Sequence, residues 1–244
     1  AAAADLLASE TCDHLVVFGY GPQAWGHVEA LRSIRDIKRV TLVARNRERA
    51  QVLADQITES GIPASVGSVD DVRDADIIVA ATTAREPLFD GSLVPDDACV
   101  IAVGSHEPDA RELDTQLIAR SQVIVEDLGH VMIEGGDVIM PINEGAITLD
   151  HVAPLRDLVT GVVAVDRSRP RVFKSSGMPW EDLVVAAEDV ELDDAVEELR
   201  GMGATVAPVS VDLTRREDVE RLVAAVRGVA RARIIHRCTA CASG

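Results

Sequence analysis

LVVFGYGPQAWGHVEAL, residues 15–31, joins an apolar run to a helical pattern through a glycine-rich turn. The turn fits G-x-G-x-x-A, with Gly19, Gly21 and Ala24 at its fixed positions. We expect Gly19 to allow a tight turn, Gly21 to let a pyrophosphate approach the backbone, and Ala24 to keep helix and strand close. The amides and dipole at the start of a helix attract phosphate. The stretch predicts a dinucleotide site; the alternative is a glycine turn that only packs a helix on a sheet.

Short apolar runs alternate with amphipathic stretches along the first half of the chain. The predicted strands are His14–Phe18, Arg39–Val43, Ala64–Gly67, Asp76–Ala81, Ala98–Val103, Gln122–Glu126 and Arg171–Lys174. The predicted helices are the first ten residues, Gln23–Ser33, Arg47–Glu59, Val69–Arg73 and Arg111–Ala119. This alternation predicts an α/β fold with a doubly wound, Rossmann-type parallel sheet. Residues 127–170 are rich in glycine and weakly periodic, and we expect mostly loops there.

The composition of the 244 residues limits the possible partners. Hydrophobic residues make up 47% of the chain, which is enough for a core, and the formal net charge is −17. Such an acidic surface repels nucleic acid. No apolar run is long enough to suggest a membrane span. Four cysteines do not make a disulfide framework, so we expect a cytoplasmic protein.

The end of the second predicted strand bears on the choice of dinucleotide. NAD-binding sites usually place an acid there to hold the ribose hydroxyls. This sequence instead has Ala44, Arg45, Asn46 and Arg47, with no acid before Glu48. Guanidinium groups suit a 2′-phosphate, so we predict that NADP(H) is favoured over NAD(H). The alternative is that both arginines are solvated surface charges at the start of a helix.

Four segments, in the same order as in the family, together resemble the ornithine cyclodeaminase/mu-crystallin superfamily. They are FGYGPQA (18–24), DADIIVAATTAREPLFDG (74–91), IAVGSHEPDARELD (101–114) and VFKSSGMPWEDLVVA (172–186). The resemblance covers about residues 1–190 and implies one dinucleotide-binding Rossmann domain. It also implies an enzyme that uses a nicotinamide cofactor on a small amino or imino acid.

The resemblance carries site residues across by position. It implies cofactor contacts from Pro22 and Gln23 at the pyrophosphate, Thr82 after the fourth strand, Val103 and Gly104 beneath the nicotinamide, and Ser175. The arrangement of residues 44–47 is similar to that of the NADPH-using mu-crystallin branch. Lys174 also lies in a matched segment, but we expect it to be a surface residue.

His106 stands where the cyclodeaminases have an acid/base aspartate. An imidazole can pass a proton to an imine or carbonyl at neutral pH, which makes His106 the candidate catalytic residue. The alternative is an exposed loop histidine, or one hydrogen-bonded to Glu107. Glu112 and Asp114 are expected to open and cap the helix that follows, with Arg111 pairing with either of them.

The two ends of the chain depart from the resemblance. The family's N-terminal segment, which builds a dimer interface and binds the substrate carboxylate, has no counterpart here, so we expect a homodimer only of a full-length member. Residues 191–244 resemble an early portion of a short-chain dehydrogenase/reductase and predict an extra β-α-β-like segment. The closing His236, Cys238 and Cys241 are too few to form a structural zinc site, so we predict no metal.

Three functions follow from these expectations. The first is an NAD(P)-dependent oxidoreductase that reduces a cyclic ketimine or a 2-oxo/imino acid. The second is a lyase that converts ornithine to proline and ammonia with a recycled NAD. His106 and the missing acid at positions 44–47 both count against the lyase. The third is a truncated dinucleotide-binding module without catalysis.

Overall fold

A computed structural model describes residues 1–177, and its strands form one parallel sheet. The strands are β1 (His14–Phe18), β2 (Arg39–Val43), β3 (Ala64–Val66), β4 (Ile77–Ala80), β5 (Cys99–Ala102), β6 (Gln122–Val125), β7 (Val152–Pro154) and β8 (Arg171–Lys174). Their order across the sheet is β3-β2-β1-β4-β5-β8-β6-β7. β1 lies between β2 and β4, so the winding of the chain reverses beside it. The predicted doubly wound, Rossmann-type sheet is therefore confirmed.

Helices and short 3₁₀ turns connect the strands. The α-helices are α1 (Ala2–Leu7), α2 (Pro22–Arg32), α3 (Arg47–Glu59), α4 (Thr115–Arg120), α5 (Leu128–Glu134), α6 (Gly136–Asn143) and α7 (Leu155–Val159). The 3₁₀ turns are Val69–Asp74, Gly91–Leu93 and Leu149–His151. None of the helices in residues 1–177 is long and apolar enough to cross a membrane.

The central strands lie within the core. Every residue of β1, β4, β5 and β6 is buried, as expected of parallel strands covered on both faces. Apolar runs mark β1, β2 and β8 in the sequence, and apolar residues at helical spacing mark α3, so the predicted bounds of these four elements agree with the structure. The sheet is the rigid element that carries the loops described below.

The helix predicted over Val69–Arg73 is present as a 3₁₀ helix over Val69–Asp74, whose first turn is closed by a capping box between Ser68 and Asp71. Two other local predictions were wrong. The helix predicted from Arg111 begins only at Thr115, because the Asp114 side chain caps it by accepting a hydrogen bond from the Leu117 amide at 2.8 Å. Residues 127–170, predicted to be loops, contain α5, α6, β7 and α7.

Three arginines hold the first helix against the sheet. Arg35 binds the Asp5 carboxylate at 2.5 Å and the Ser9 carbonyl at 2.7 Å. Arg171 is fully buried and donates to the Leu7 carbonyl at 2.9 Å, and Arg167 reaches the Ala8 carbonyl at 3.3 Å. Backbone carbonyls thus satisfy much of this buried positive charge. The predicted domain boundary near residue 190, the segment 191–244 and the closing His and Cys residues lie outside the described residues.

Candidate functional site

The predicted site residues meet at one edge of the sheet. Gly19 follows β1, Thr82 follows β4, Val103 follows β5 and Ser175 follows β8. Backbone hydrogen bonds continue across this edge: the Val103 amide donates to Ala80 at 2.9 Å, and the Ser175 amide donates to Ala102 at 3.0 Å. In doubly wound sheets, ligands bind outside the carboxyl ends of the strands at the point where the winding reverses. The loops at this edge therefore form the candidate site.

The glycine-rich turn has the geometry that its sequence predicts. Gly19 has φ +122°, and a Cβ on it would lie 2.5 Å from the Ala81 carbonyl oxygen, so only glycine fits. Gly21 has an ordinary φ of −87°, and a Cβ there would meet no atom within 4 Å. The space over Gly21 is thus open to a ligand.

The start of α2 faces the same turn without a cap. Gly21 is the N-cap residue, no side chain of the described residues caps the helix, and Pro22 occupies its first turn. The first amides of an α-helix have no partner within the helix, and they favour an anion. The turn and α2 together fit the pyrophosphate of a dinucleotide.

The arginines after β2 have different environments. Arg47 donates to the Gly67 carbonyl at 2.9 Å, and the Asn46 side chain caps α3 by accepting from the Arg49 amide at 3.0 Å. Arg45 is exposed and has no hydrogen bond or ion pair with the described residues. The Arg49 guanidinium lies 6.0 Å from the centre of the Tyr20 ring. Of the two arginines predicted to bind the phosphate, Arg45 is the one whose guanidinium is available to a bound molecule.

The Glu112 carboxylate joins the loops after β4 and β5. One oxygen accepts hydrogen bonds from the Thr82 amide at 2.8 Å and from its hydroxyl at 2.7 Å. The other oxygen accepts from the Gly104 amide at 2.7 Å. Glu112 is fully buried, and burial raises the pKa of its carboxyl above the ordinary value, while the Thr82 hydrogen bonds oppose that shift. The prediction that Glu112 only opens a helix was wrong.

Gly104 is packed against both of these partners. A Cβ on Gly104 would lie 2.0 Å from the Thr82 carbonyl oxygen and 2.5 Å from Glu112 Oε1. No larger residue fits without moving the backbone of a loop. The two predicted cofactor contacts Thr82 and Gly104 are therefore brought together.

A buried ion pair lies beneath the same loops. The side chains of Lys174 and Asp137 are both fully buried, with Lys174 Nζ 3.3 Å from Asp137 Oδ2. Lys174 also donates to the Ser105 carbonyl, and Asp137 Oδ1 accepts from the Glu112 and Leu113 amides, each at 2.8 Å. Burial of unpaired charges is costly, so each of these two residues requires the other. The expectation that Lys174 lies on the surface was wrong.

His106 is exposed in the first half of the loop that follows β5. Its Nδ1 lies 3.3 Å from the Gly104 carbonyl oxygen, which can only accept, so Nδ1 carries the hydrogen of that contact. The Nε2 atom is then the one that can exchange a proton. Glu107 binds Arg85 at 2.6 Å. Arg111, expected to pair with Glu112 or Asp114, instead binds Glu144 at 2.9 Å.

Ser175 donates its hydroxyl to Glu126 Oε1 at 2.8 Å, at the edge where the family resemblance places a cofactor contact. Within residues 1–177, no group of three His, Cys, Asp or Glu side chains is placed to hold a metal ion. The structure thus places the predicted residues along one edge, and their contacts with a cofactor stay predictions.

Asp137 was not among the predicted residues, and the environments of Lys174 and Glu112 were predicted wrongly. The sequence did contain a signal for Lys174. It lies two residues after Val172 in β8, so both side chains point to the same face of the sheet, and Val172 is apolar. A lysine on the buried face of a strand is almost never found without an acidic partner, so it predicts a buried carboxylate nearby. No comparable local pattern marks Glu112 or Asp137.

The fold and the glycine-rich turn together define the structural class of the protein. A doubly wound parallel sheet with a glycine-rich turn and an uncapped helix at its switch point is a Rossmann-type, dinucleotide-binding architecture. The family follows from comparison: the model of the ornithine cyclodeaminase/mu-crystallin family matches residues 1–196. The chain belongs to this family.

Individual relatives agree with this membership. The chain is 37% identical over 198 residues to a Δ¹-pyrroline-2-carboxylate reductase of Colwellia psychrerythraea. The matched region covers 78% of this chain and 63% of that protein. It is 35% identical over 187 residues to the ketimine reductase mu-crystallin of Mus musculus, over 76% of the chain and 57% of that protein.

A solved structure is also similar. It is the Thermococcus litoralis Δ¹-pyrroline-2-carboxylate reductase in complex with NADH and L-proline. The TM-score is 0.73 at 29% identity, over 83% of this chain and 62% of that one. The chain therefore spans about six-tenths of the length of these relatives.

Proposed function

We propose that this chain acts as an NAD(P)-dependent reductase that transfers hydride to the C=N or C=O carbon of a cyclic ketimine or a 2-oxo/imino acid. The main support for this proposal is that the uncapped start of α2 and the loop of Gly104 lie at the same edge of the sheet. The relatives named as pyrroline-2-carboxylate and ketimine reductases support this substrate class. The relative with bound NADH supports the cofactor class.

The chain's own residues would bind the cofactor, orient it and supply a proton. The start of α2 holds the pyrophosphate, and the loop of Val103 and Gly104 supports the nicotinamide ring. A reduced nicotinamide supplies the hydride when bound. Reduction of an imine or carbonyl also needs one proton at nitrogen or oxygen, and the exposed His106 would deliver it from Nε2.

The function is tested by following NADPH absorbance after Δ¹-pyrroline-2-carboxylate or a 2-oxo acid with ammonia is added to this chain. We expect loss of absorbance and one equivalent of amino acid for each NADPH consumed. Release of ammonia from ornithine without net cofactor change would indicate the lyase instead. Cofactor binding without turnover of either substrate would indicate a non-catalytic module and contradict the proposal.

Gly21→Ala should weaken cofactor binding while leaving the fold intact. The φ of −87° suits alanine, and the new methyl group meets only open space in the free protein. That space is where the pyrophosphate would approach, so we expect about five- to 150-fold weaker NADPH binding, as for an overpacked contact. Calorimetric titration measures the affinity, and thermal melting measures the fold.

Gly26→Ala is the matched control, because Gly26 lies in the same helix and its Cβ would also meet no atom within 4 Å. It should keep the wild-type affinity. If the Gly21→Ala variant and the wild type bind NADPH equally tightly, the pyrophosphate does not bind at this turn.

We also propose that NADP(H) is favoured over NADH. Arg45 is the exposed guanidinium available at the end of β2, and no acid stands where the ribose hydroxyls of NAD are usually bound. A charge-assisted contact with the 2′-phosphate contributes to NADPH binding and nothing to NADH binding.

Arg45→Ala should therefore weaken NADPH binding by about tenfold or more and leave NADH binding unchanged. Arg47→Ala is the comparison, because the Arg47 guanidinium already binds the Gly67 carbonyl and should have the smaller effect on selectivity. Paired titrations with the two cofactors give the ratio of affinities. An unchanged ratio in the Arg45 variant would contradict the assignment.

A further inference from the structure

The Glu112 side chain connects Thr82, in the loop that follows β4, to Gly104, in the loop that follows β5. Its three donors are the amide and hydroxyl of Thr82 and the amide of Gly104. The Thr82 hydroxyl itself accepts from the Ala84 amide at 3.1 Å, so its own hydrogen points to Glu112. Both carboxylate oxygens thus act as acceptors, which is the arrangement of an ionised carboxylate.

Glu112 is fixed from behind by a second carboxylate. Its own amide and that of Leu113 donate to Asp137 Oδ1, each at 2.8 Å. Asp137 Oδ2 accepts no hydrogen bond from the described residues, and its contact with Lys174 Nζ at 3.3 Å is ionic. The main chain at 112–113 is therefore anchored to β8 through a buried charge pair.

The contacts close into a ring around the loop that follows β5. Lys174 donates to the Ser105 carbonyl, and the Ser105 hydroxyl donates to the Ala110 carbonyl at 2.5 Å. The ring runs from Gly104 through Glu112, Asp137 and Lys174 to Ser105, the next residue along the chain. Glu112, Asp137 and Lys174 are all buried, so solvent does not compete for these contacts.

We infer that Glu112 is a positioning residue: its carboxylate sets the spacing of Thr82 and Gly104 to which the nicotinamide end of the cofactor binds. The inference rests on the proposed function, which places the nicotinamide against Gly104. Glu112 belongs to the later part of the loop that follows β5, and its buried side chain acts through Thr82 and Gly104. The Asp137–Lys174 pair keeps Glu112 in the one position where it reaches both.

Glu112→Gln tests this role with little change of shape. A glutamine has one oxygen and one NH₂ group, so a donor must face the amide of either Thr82 or Gly104. Gly104 is already packed against Thr82, so one loop must move away. We expect NADPH to bind about tenfold more weakly, the loss that one mispaired buried hydrogen bond produces. The melting temperature should change little, because removal of a buried charge offsets the lost contact.

The matched control is Glu144→Gln. The Glu144 carboxylate is exposed and accepts hydrogen bonds from Arg111 and Thr115, which lie close to Glu112 in the sequence. This variant should keep both wild-type affinity and melting temperature. A purely structural role of Glu112 predicts the opposite pattern: a lower melting temperature with unchanged NADPH affinity at temperatures where the variant is folded.

A second variant of Glu112 keeps the inference testable if Glu112→Gln does not fold. Glu112→Asp keeps the negative charge but shortens the side chain by one methylene group, so its carboxylate cannot reach both Thr82 and Gly104, and it should also weaken NADPH binding. Fluorescence titration with NADPH is the readout, and it does not depend on turnover. If the wild type binds neither NADPH nor NADH, the proposed function fails. If the wild type binds and the folded Glu112→Gln variant, or Glu112→Asp in its place, binds equally well, the inference is overturned.

Discussion

Lys174→Met is expected to lower the free energy of unfolding by about 3–5 kcal/mol, because it leaves the fully buried Asp137 without its counter-charge. The Ser105 carbonyl also loses its donor, so the loop that follows β5 is released at the same time. Urea denaturation of this chain, followed by circular dichroism, measures the change.

Two controls separate the missing charge from the missing side chain. The double variant Asp137→Asn/Lys174→Met removes both charges, and an asparagine oxygen can still accept from the Glu112 and Leu113 amides, so it should recover most of the loss. Lys38→Met changes the other lysine of the chain, which is exposed and, among the residues that the structure describes, pairs with Asp36 alone, and it should have no measurable effect. Equal stability of Lys174→Met and the wild type would show that the pair is not buried as described.

His106→Asn is expected to reduce the turnover number of the reductase by about 10²–10⁴-fold, the usual contribution of a general acid. An asparagine amide can still donate a hydrogen bond, but it cannot deliver a proton at neutral pH. Because His106 is exposed and its one hydrogen bond to the described residues is with the Gly104 carbonyl, the affinity for NADPH should stay near the wild-type value. Steady-state rates with Δ¹-pyrroline-2-carboxylate, combined with NADPH titration, separate the two quantities.

His151→Asn is the control for this loss, since His151 contacts the Ile118 carbonyl at 3.1 Å, away from the loop that carries His106. It should retain the wild-type turnover. A His106→Asn variant that turns over as fast as the wild type would mean that another group delivers the proton.

The sequence predicted the parts of the fold in which local pattern and tertiary environment agree. The bounds of β1 and β8 follow from short apolar runs, and the role of Gly19 follows from the turn pattern, which the φ of +122° matches. The edge of the sheet that carries the site was predictable for the same reason: every strand in it is parallel, so the strand ends coincide.

The sequence did not predict the parts that depend on distant contacts. Gly136 suggested a loop, yet it is the first residue of α6, and it must be glycine because a Cβ there would lie 2.0 Å from the Ala110 carbonyl oxygen. The positions of Glu112, Asp137 and Lys174 are set by one another across α6, β8 and the loop before α4. No local periodicity encodes a pairing between residues so far apart in the chain.

The central claim is that the edge formed by Gly19, Gly21 and Gly104 binds a nicotinamide dinucleotide. Calorimetric titration of the wild-type chain with NADPH and, separately, with NADH tests it most directly. We predict one bound equivalent of cofactor for each chain, with NADPH the tighter ligand. Heats indistinguishable from dilution for both cofactors would contradict the claim.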